Sequence, residues 1–508
     1  MRHFHTPARI LCLLAIFSQV SSTGFSQTIP REKDFVVEVV ERNREAIALL
    51  GDNIFYFAEL GMQEIESSKL MTEILEEEGF TIERALSGMP PAFMAVYGSG
   101  KPVIAMHTEF DSTPGNSQTP EVTEHRPLVE GAPGHAEGHN VNAAVMIGAA
   151  FAVKKTMEEF KLSGTLKIVG APAEEQLISR PYLVRDGYFD DVDIVFHPHI
   201  GSRFSTQYGL RQYALISAEF TFKGESAHSA TAPWKGRDAL DAVELMDFGF
   251  DKFREHLEPT HRNHRVITSG GVQPNVIPDE ATIWWFFRES TAEKVSVIFE
   301  RAQVIAQGAA LMTGTSYSVN IVSAVWPTRA NQTAAEVIHR NIEWVGMPEW
   351  NSQEQALAKE LQTNRDVEPI GLVNQVSSLR GATAQSTSAN DSGDLTWLVP
   401  TGRITFPSNI PGITAHHWAA GVAPATSIAH KGAVAGAKAL AASLVDFLID
   451  PQLLAKAKET FREEIAGVDF VSLLPAEQKP PLDLNKELME RFRPLMRKDY
   501  LKEKPHFQ

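Results

Sequence analysis

Cysteine is nearly absent from this 508-residue chain, in which Cys12 is the only one. It lies in a short apolar stretch, residues 10–17, that follows Arg2 and Arg9 and precedes small and polar residues. This order is typical of a secretory signal peptide. Cleavage near residues 22–27 would remove Cys12, which excludes disulfides, cysteine nucleophiles and thiolate metal ligands from the mature chain. We therefore expect a periplasmic or secreted protein.

Long apolar runs and an excess of positive charge are also missing. The 10–17 stretch is shorter than the roughly 18 residues that a membrane helix needs, and no other stretch reaches that length. Lys and Arg number 47 against 63 Asp and Glu, which gives a formal charge of −16. A protein that binds the nucleic-acid backbone would carry the opposite sign. Neither a membrane span nor a nucleic-acid partner is expected.

Apolar strands that alternate with helices indicate an α/β fold. Buried strands are predicted at 103–107, 165–171 and 192–196, and helices at 34–50, 141–160 and 431–449. This alternation predicts a mostly parallel sheet with flanking helices.

The middle of the chain has a different pattern. Strands are predicted at 213–223 and 281–288, and helices at 237–256 and 291–312. Such a block predicts an α+β domain inserted into the first domain. The predicted organisation is a signal peptide (1–27), an α/β domain in two parts (28–212 and 329–455), an inserted domain (213–328) and a C-terminal extension (456–508).

Polar clusters follow the predicted strands, at the place where open α/β sheets bind ligands. These clusters contain Glu137 and His139, Glu174 and Glu175, and His197 and His199. Glu and His are ligand types for Zn²⁺ or Mn²⁺. Of two adjacent carboxylates, one can bind a metal while the other accepts a proton from water. A distant group, His416, His417 and His430, has chemistry that fits the same site.

Seven short motifs together resemble the M20 family of metal-dependent amidohydrolases and peptidases, in particular its aminobenzoyl-glutamate hydrolase branch. The motifs are ELGMQE (59–64), EFDSTPG (109–115), GHAEGHN (134–140), PAEE (172–175), GESAHS (224–229), NVIP (275–278) and SIAHKG (427–432). The resemblance covers about residues 34–450. It implies a catalytic α/β domain, an inserted lid and dimerisation domain, two divalent metal ions (Zn²⁺ or Mn²⁺) and a homodimer.

The resemblance also implies roles for single residues. The metal ligands that it implies are Glu137, His139, Glu175, His199 and His416. Glu174 matches the general base, and Asp111 matches an acidic residue that orients the ligands. His197 remains an alternative to His199. His430 is expected at a helix start rather than in the site.

One position departs from the family pattern, because Glu137 stands where the branch has a metal-binding cysteine. A carboxylate keeps the negative charge and the donor atom that a metal needs. The change also agrees with export, since a thiolate is at risk in an oxidising compartment. We therefore expect Glu137 to be a ligand. The alternative is a metal-depleted, non-catalytic binding protein on the same fold.

Three residues of the inserted domain match substrate contacts of the family. His228 matches a histidine that reaches the substrate carbonyl, in many members from the partner subunit. Asn275 and Arg288 match polar substrate contacts, and an arginine suits a substrate carboxylate. The alternative for Arg288 is a surface salt bridge.

The function that the resemblance implies is metal-dependent hydrolysis of an amide bond. Glu174 would take a proton from a metal-bound water, and the metals with His228 would hold the developing oxyanion. The expected substrate is a small molecule, either an N-acyl or N-aroyl amino acid similar to aminobenzoyl-glutamate or a dipeptide.

Overall fold

The computed structural model of the protein describes residues 29–381 and 385–508. The predicted signal peptide, 1–27, lies outside the described residues.

Helices and strands alternate through most of the described chain. The helices are α1 (Arg31–Arg42), α2 (Arg44–Phe57), α3 (Ile65–Glu77), α4 (His139–Phe160), α5 (Ser179–Arg185), α6 (Ala239–Phe253), α7 (Ala292–Thr313), α8 (Gln332–Val345), α9 (Ser352–Asn364), α10 (Ser427–Ile449), α11 (Pro451–Glu464) and α12 (Lys486–Met496). The strands are β1 (Thr81–Arg84), β2 (Phe93–Ser99), β3 (Val103–Thr108), β4 (Gly164–Gly170), β5 (Ile194–Gly201), β6 (Gly209–Leu210), β7 (Ala214–Lys223), β8 (Arg262–Ser269), β9 (Glu280–Glu289), β10 (Ser316–Val325), β11 (Arg329–Ala330) and β12 (Thr401–Pro407).

A six-stranded sheet, in the order β1-β2-β4-β3-β5-β12, is the centre of the α/β layer. The strands β3, β4, β5 and β12 are parallel, whereas β1 and β2 add antiparallel pairs at one edge. Every residue of β3 is buried, as expected for a parallel strand that is covered on both faces. The predicted α/β class is confirmed, with a sheet that is mixed at one edge.

Helix α10 is a core helix of this layer. Its length and composition would allow it to span a membrane, but 78% of its most apolar window is buried inside the protein. It packs against α1, α4 and α8 and lies on β12. The approach to β12 is close, because a Cβ atom added at Gly432 would lie 2.0 Å from the Pro407 carbonyl oxygen.

The inserted block forms a second sheet, which is antiparallel and has the order β10-β7-β9-β8. Helices α6 and α7 pack together and against this sheet. Alternate residues of β9 are buried, among them Ile283, Trp285 and Phe287. The strands β8 and β10 were not predicted, because β8 is a polar and mostly exposed edge strand without a clear apolar alternation. The predicted α+β insertion is thus present, with four strands instead of two.

The prediction of one helix at 34–50 was wrong, because the chain forms α1 and α2 with a break at Asn43. The Asn43 side chain donates to the Val39 carbonyl at 2.8 Å and to the Gln508 carbonyl at 3.0 Å. Asn43 Oδ1 in turn accepts the N–H of Gln508 at 2.7 Å. A contact between residues 465 positions apart, which a local pattern cannot reveal, therefore accompanies the break.

The segment 465–508, here called the C-terminal segment, runs from the inserted sheet back to the N-terminal helices. Trp326 Nε1 donates to the Val471 carbonyl at 2.8 Å, beside the junction of the two sheets. Further along, Arg493 of α12 forms an ion pair of 2.9 Å with the buried Glu59. The segment is therefore part of the packed structure of both the inserted domain and the α/β layer.

Candidate active site

A cleft of about 560 Å³ lies between the α/β layer and the inserted sheet. Its lining combines acids of the α/β layer with histidines and arginines from both parts. The polar and charged lining residues are Glu137, Glu174, Glu175, His199, Gln207, Arg211, Gln212, Arg262, His264, Arg288, Ser386, Thr387, Ser388, Asn390, Arg403 and His416.

A glycine turn brings Glu137 and His139 to the cleft. Gly138 lies between them with a φ of +105°, and a Cβ atom there would lie 2.4 Å from the Ile200 side chain. A positive φ and a close contact both favour glycine. The turn places Glu137 at the cleft wall and begins α4 at His139.

Asp111 orients the His139 ring. His139 Nδ1 donates to Asp111 Oδ1 at 3.0 Å, and Asp111 Oδ2 accepts the N–H of Glu175 at 2.9 Å. With Nδ1 directed at the carboxylate, the neutral ring presents Nε2 as its acceptor atom, and this buried atom has no hydrogen-bond partner within the described structure. A histidine that donates one ring N–H to a carboxylate and leaves the other nitrogen free has the usual orientation of a metal ligand.

The structure places His199 in the cleft and turns His197 away from it. His199 Nδ1 donates to the Ile200 carbonyl at 2.9 Å, so its Nε2 faces Glu137 Oε1 at 3.4 Å. His197 Nε2 instead lies 2.9 and 3.0 Å from the carboxylate oxygens of Glu109. Of the two alternatives left open by the sequence, only His199 offers a free nitrogen to the cleft.

Glu137, Glu175 and His416 meet on the other side of the cleft. His416 Nε2 lies 2.9 Å from Glu137 Oε2 and 3.0 Å from Glu175 Oε2. Hydrogen bonds to these two carboxylates raise the pKa of His416 to about 10. Burial alone would raise the pKa of Glu137, but His416 and the neighbouring histidines lower it to about 2. The pocket therefore stabilises positive charge strongly at this point.

Glu174 is a buried carboxylate beside these groups. Its Oε2 lies 3.8 Å from His139 Nε2, and its Oε1 accepts a hydrogen bond from Asn390 Nδ2. Burial, with the nearby acids Glu109 and Asp391, raises the pKa of Glu174 well above its ordinary value. A carboxylate with a raised pKa is a stronger proton acceptor, which suits a general base.

The backbone that carries Glu174 is held in a strained conformation. Ala173 has a φ of +57°, and its N–H donates to the buried Glu64 at 2.7 Å. Non-glycine residues in this region persist only when their surroundings fix them. The ELGMQE motif therefore supports the loop that holds the carboxylate pair.

The donors form two groups that fit divalent cations. Glu109, His139 and His199 form one group, and Glu137, Glu175 and His416 form the other, each with its donor atoms within 4.8 Å of one another. Glu137 lies between them, because its two oxygens face His199 and His416. Carboxylate and imidazole donors in groups of three, with a free buried His139 Nε2, are a donor set for transition-type divalent metals.

A buried ionic network lies under the cleft and was not predicted. Glu109 pairs with Arg180, which also pairs with Asp391 and donates to His107 Nδ1 at 2.8 Å. Burial would raise the pKa of Glu109, but His197 and Arg180 outweigh it and lower the pKa well below its ordinary value. The only sequence signal for Arg180 is its position inside the apolar stretch 177–184.

Of the three predicted substrate contacts, His228 and Asn275 do not line the cleft of their own chain, whereas Arg288 does. Arg288 lines the cleft, and its Nε atom is buried without a partner among the described residues. His228 and Asn275 are exposed and lie together elsewhere on the inserted domain, where the Ser229 N–H donates to the Asn275 carbonyl at 3.1 Å.

Asn390, which binds Glu174, was not predicted from the sequence, because its surroundings (NDSGD) have the composition of an exposed turn.

Comparisons with known proteins agree with this architecture. A family model described as a peptidase dimerisation domain matches residues 210–311. The chain is 33% identical over 457 residues to one of the subunits of p-aminobenzoyl-glutamate hydrolase from Escherichia coli, and the match covers 84% of this chain and 94% of that subunit. It is 30% identical over 294 residues to the human Xaa-Arg dipeptidase, covering 56% of this chain and 64% of the relative.

A solved structure from Bacillus subtilis has the same fold. It is described as a dinuclear metal-binding peptidase of the M20 family. It is 18% identical, has a TM-score of 0.51, and covers 80% of this chain and 99% of its own. Together with the extent of the match to the E. coli hydrolase, the two ligand groups and the inserted dimerisation domain, this shows that the chain belongs to the M20 family of peptidases and amidohydrolases.

Proposed function

We propose that the protein is a metal-dependent amidohydrolase that cleaves N-acyl or N-aroyl amino acids, aminobenzoyl-glutamate among them, or dipeptides. The observation that carries the proposal is the position of Glu174, a buried carboxylate with a raised pKa beside two groups of metal-ligand atoms. The names of the relatives, an aminobenzoyl-glutamate hydrolase and a dipeptidase, support this range of substrates.

Glu174 moves the proton in the proposed reaction. Its carboxylate accepts a proton from the attacking water and later donates it to the leaving amine. Asn390 holds one oxygen of this carboxylate, which leaves the other to face the reacting groups. Asp111 holds the His139 ring and the Glu175 backbone in place beside Glu174 through two hydrogen bonds.

The metal ligands in this proposal are Glu137, His139, Glu175, His199 and His416. When bound, two divalent cations would polarise the amide carbonyl and make water more acidic. The donors are imidazole and carboxylate, which suit Zn²⁺ or Mn²⁺. Removing the metals with a chelator and adding each back singly, with activity and metal content measured, identifies the active ion.

We further propose a homodimer that is exported from the cytoplasm. The match to a peptidase dimerisation domain supports the dimer, as does the exposed edge strand β8, where Val266 is 56% exposed. His228 does not line the cleft of its own chain, so a partner subunit is the proposed source of this side chain at the site. The signal-peptide pattern supports export.

The change Glu174→Gln tests the proposal. Glutamine keeps the shape and the bond to Asn390 but cannot accept the proton, so kcat should fall by roughly 10²–10⁴-fold. Metal content should stay at the parent level. Glu159→Gln, at an exposed position on α4, is the matched control and should keep full activity. Near-normal hydrolysis by purified Glu174→Gln protein would exclude Glu174 as the base.

A further inference from the structure

Some arginines of the cleft have no acidic partner among the described residues. Arg211, Arg288 and Arg403 line the cleft, and no Asp or Glu of the described chain lies within 4.0 Å of their guanidinium nitrogens. Arg403 Nη1 donates to Gln212 Oε1 at 2.9 Å, but its Nε atom is buried without a partner. The Arg211 guanidinium lies beside the neutral side chain of Gln207. With the Gln207 amide oriented so that its oxygen is the acceptor, this oxygen lies 2.8 Å from Nη1 and 3.1 Å from Nη2 of Arg211.

Other buried or half-buried arginines of the described chain are paired with acids. Arg180 pairs with Glu109 and Asp391, Arg329 with Glu464, and Arg493 with Glu59. A buried cation without an anionic partner is unfavourable, so arginines in structural roles acquire such partners. The arginines of the cleft differ in this respect, which indicates that their partner is a ligand.

A smaller hollow of about 230 Å³ adjoins the cleft. Arg211 and Gln207 line both cavities, and the exposed Arg203 and Arg380 line the hollow. Hydroxyl groups surround it, from Ser202, Ser205, Thr206 and Thr405. Burial lowers the pKa of Arg211 well below its ordinary value, and the nearby Arg403 and Arg380 lower it further. The hollow thus combines positive charge with hydroxyl donors, and none of the described residues that line it is an acid.

We propose that Arg211, Arg403 and Arg380, here called the arginine subsite, bind a second carboxylate of the substrate. Arginine is suited to this because its planar group holds a carboxylate by two parallel hydrogen bonds. Arg288 is available for the first carboxylate, the α-carboxylate of the amino acid. The substrate class is then a dianion, an N-acyl amino acid with two carboxylates.

The inference rests on the proposed amidohydrolase function and narrows its substrate class. Two sources can supply the second carboxylate, namely an acidic amino-acid side chain or an acidic acyl group. Both present the same anion to the arginine subsite, and a pair of matched substrates distinguishes them.

The experiment compares each dianion with the monoanion in which a neutral carboxamide replaces the second carboxylate. The first pair is 4-aminobenzoyl-glutamate and 4-aminobenzoyl-glutamine, and the second is N-succinyl-leucine and N-succinamoyl-leucine. A charge-assisted hydrogen bond to a half-buried arginine should make the acidic member of one pair better by roughly 10–100-fold in kcat/KM. A preference in the first pair assigns the subsite to the amino-acid side chain, and a preference in the second assigns it to the acyl group.

Variants test whether the arginines cause the preference. Arg211→Gln should lower the acid-to-amide ratio by roughly 10-fold. Arg211→Lys keeps the charge and should restore part of it, which separates recognition of charge from a folding defect. Arg301→Gln, on the outer side of α7 and away from both cavities, is the control and should leave the ratio unchanged.

Binding of the same four compounds, measured by calorimetry, separates this inference from the proposed function. Hydrolysis of both members of each pair at rates within about 3-fold would overturn the subsite and leave the amidohydrolase proposal standing. Tighter binding of a dianion without any hydrolysis would support the subsite and contradict the hydrolase proposal. Equal binding of acid and amide without hydrolysis would overturn both.

Discussion

The ion pair between Arg493 and Glu59 offers the sharpest test of what the C-terminal segment does. Glu59 is fully buried, and its carboxylate accepts hydrogen bonds from the Glu66 and Ser67 N–H groups and from the Ser67 hydroxyl. Arg493 is its ion-pair partner, at 2.9 Å, and donates also to the Gln63 carbonyl. Arg493→Met removes the charge and keeps much of the side-chain volume.

The expected cost follows from the burial of Glu59. Removal of one partner of a buried pair costs about 3–5 kcal/mol, because the remaining charge stays buried without compensation. The other hydrogen bonds to Glu59 remain, and Arg493 is 19% exposed, so we expect the lower end, about 3 kcal/mol. Activity should also fall, because the 59–64 loop supports the Ala173 N–H beside Glu174.

Urea unfolding and hydrogen exchange measure this effect. The free energy of unfolding should fall in Arg493→Met, and the Glu66 and Ser67 amides should exchange faster. The double variant with Glu59→Gln should recover stability relative to Arg493→Met, with a coupling of about 2 kcal/mol. Arg491→Met, exposed on the same helix, is the control. A loss below about 0.5 kcal/mol in Arg493→Met, the range of ordinary surface changes, would refute the reasoning.

Three further predictions concern the metal site and the buried acids. His139→Ala should lower metal occupancy, measured by elemental analysis. His430→Ala should not, because His430 binds Asp52 at 2.8 Å and lies outside the ligand groups. Loss of metal from His430→Ala would show that His416 is misassigned as the last ligand. Glu137→Ala should lose metal and activity. Glu137→Cys should keep some activity under reducing conditions and lose it on peroxide treatment, whereas the parent protein should not. Full metal content and a full rate in Glu137→Ala would show that Glu137 is only a turn residue. Burial raises the pKa of Asp394 from 3.8 to about 7, so the native state binds a proton that the unfolded chain releases. The free energy of unfolding should therefore fall by up to about 4 kcal/mol as the pH rises from 4 to 7. Asp394→Asn should flatten this slope, and an unchanged slope in urea titrations across this range would contradict the assignment.

Local patterns predict the elements that carry the site better than the contacts that complete it. The strand β3 is a continuous apolar run, so its sequence alone indicates a buried parallel strand. The motifs around Glu137 and Glu174 follow such strands, and a sheet brings strand ends together. The sequence could not choose between His197 and His199, because the choice depends on which histidine meets Glu109.

Tertiary contacts between distant segments explain what was missed. Asn390 reaches Glu174 from 216 residues along the chain. Arg403 neighbours His197 only through the pairing of β12 with β5. The strand β8, which was not predicted from the sequence, is stabilised by its pairing with β9, and its own residues are largely exposed. These features are set by the fold as a whole, so a single sequence gives little warning of them.

The position of the C-terminal segment in the chain also determines when the site can be completed during synthesis. Glu59 and Arg493 are separated by 434 residues, and Glu64, in the same loop as Glu59, holds the backbone before Glu174. A nascent chain that has exposed both sheets but not α12 still lacks the charge that neutralises Glu59. The loop under the proposed general base therefore acquires its last support late in translation. A chain truncated before residue 493 would contain every proposed metal ligand but an unsupported site.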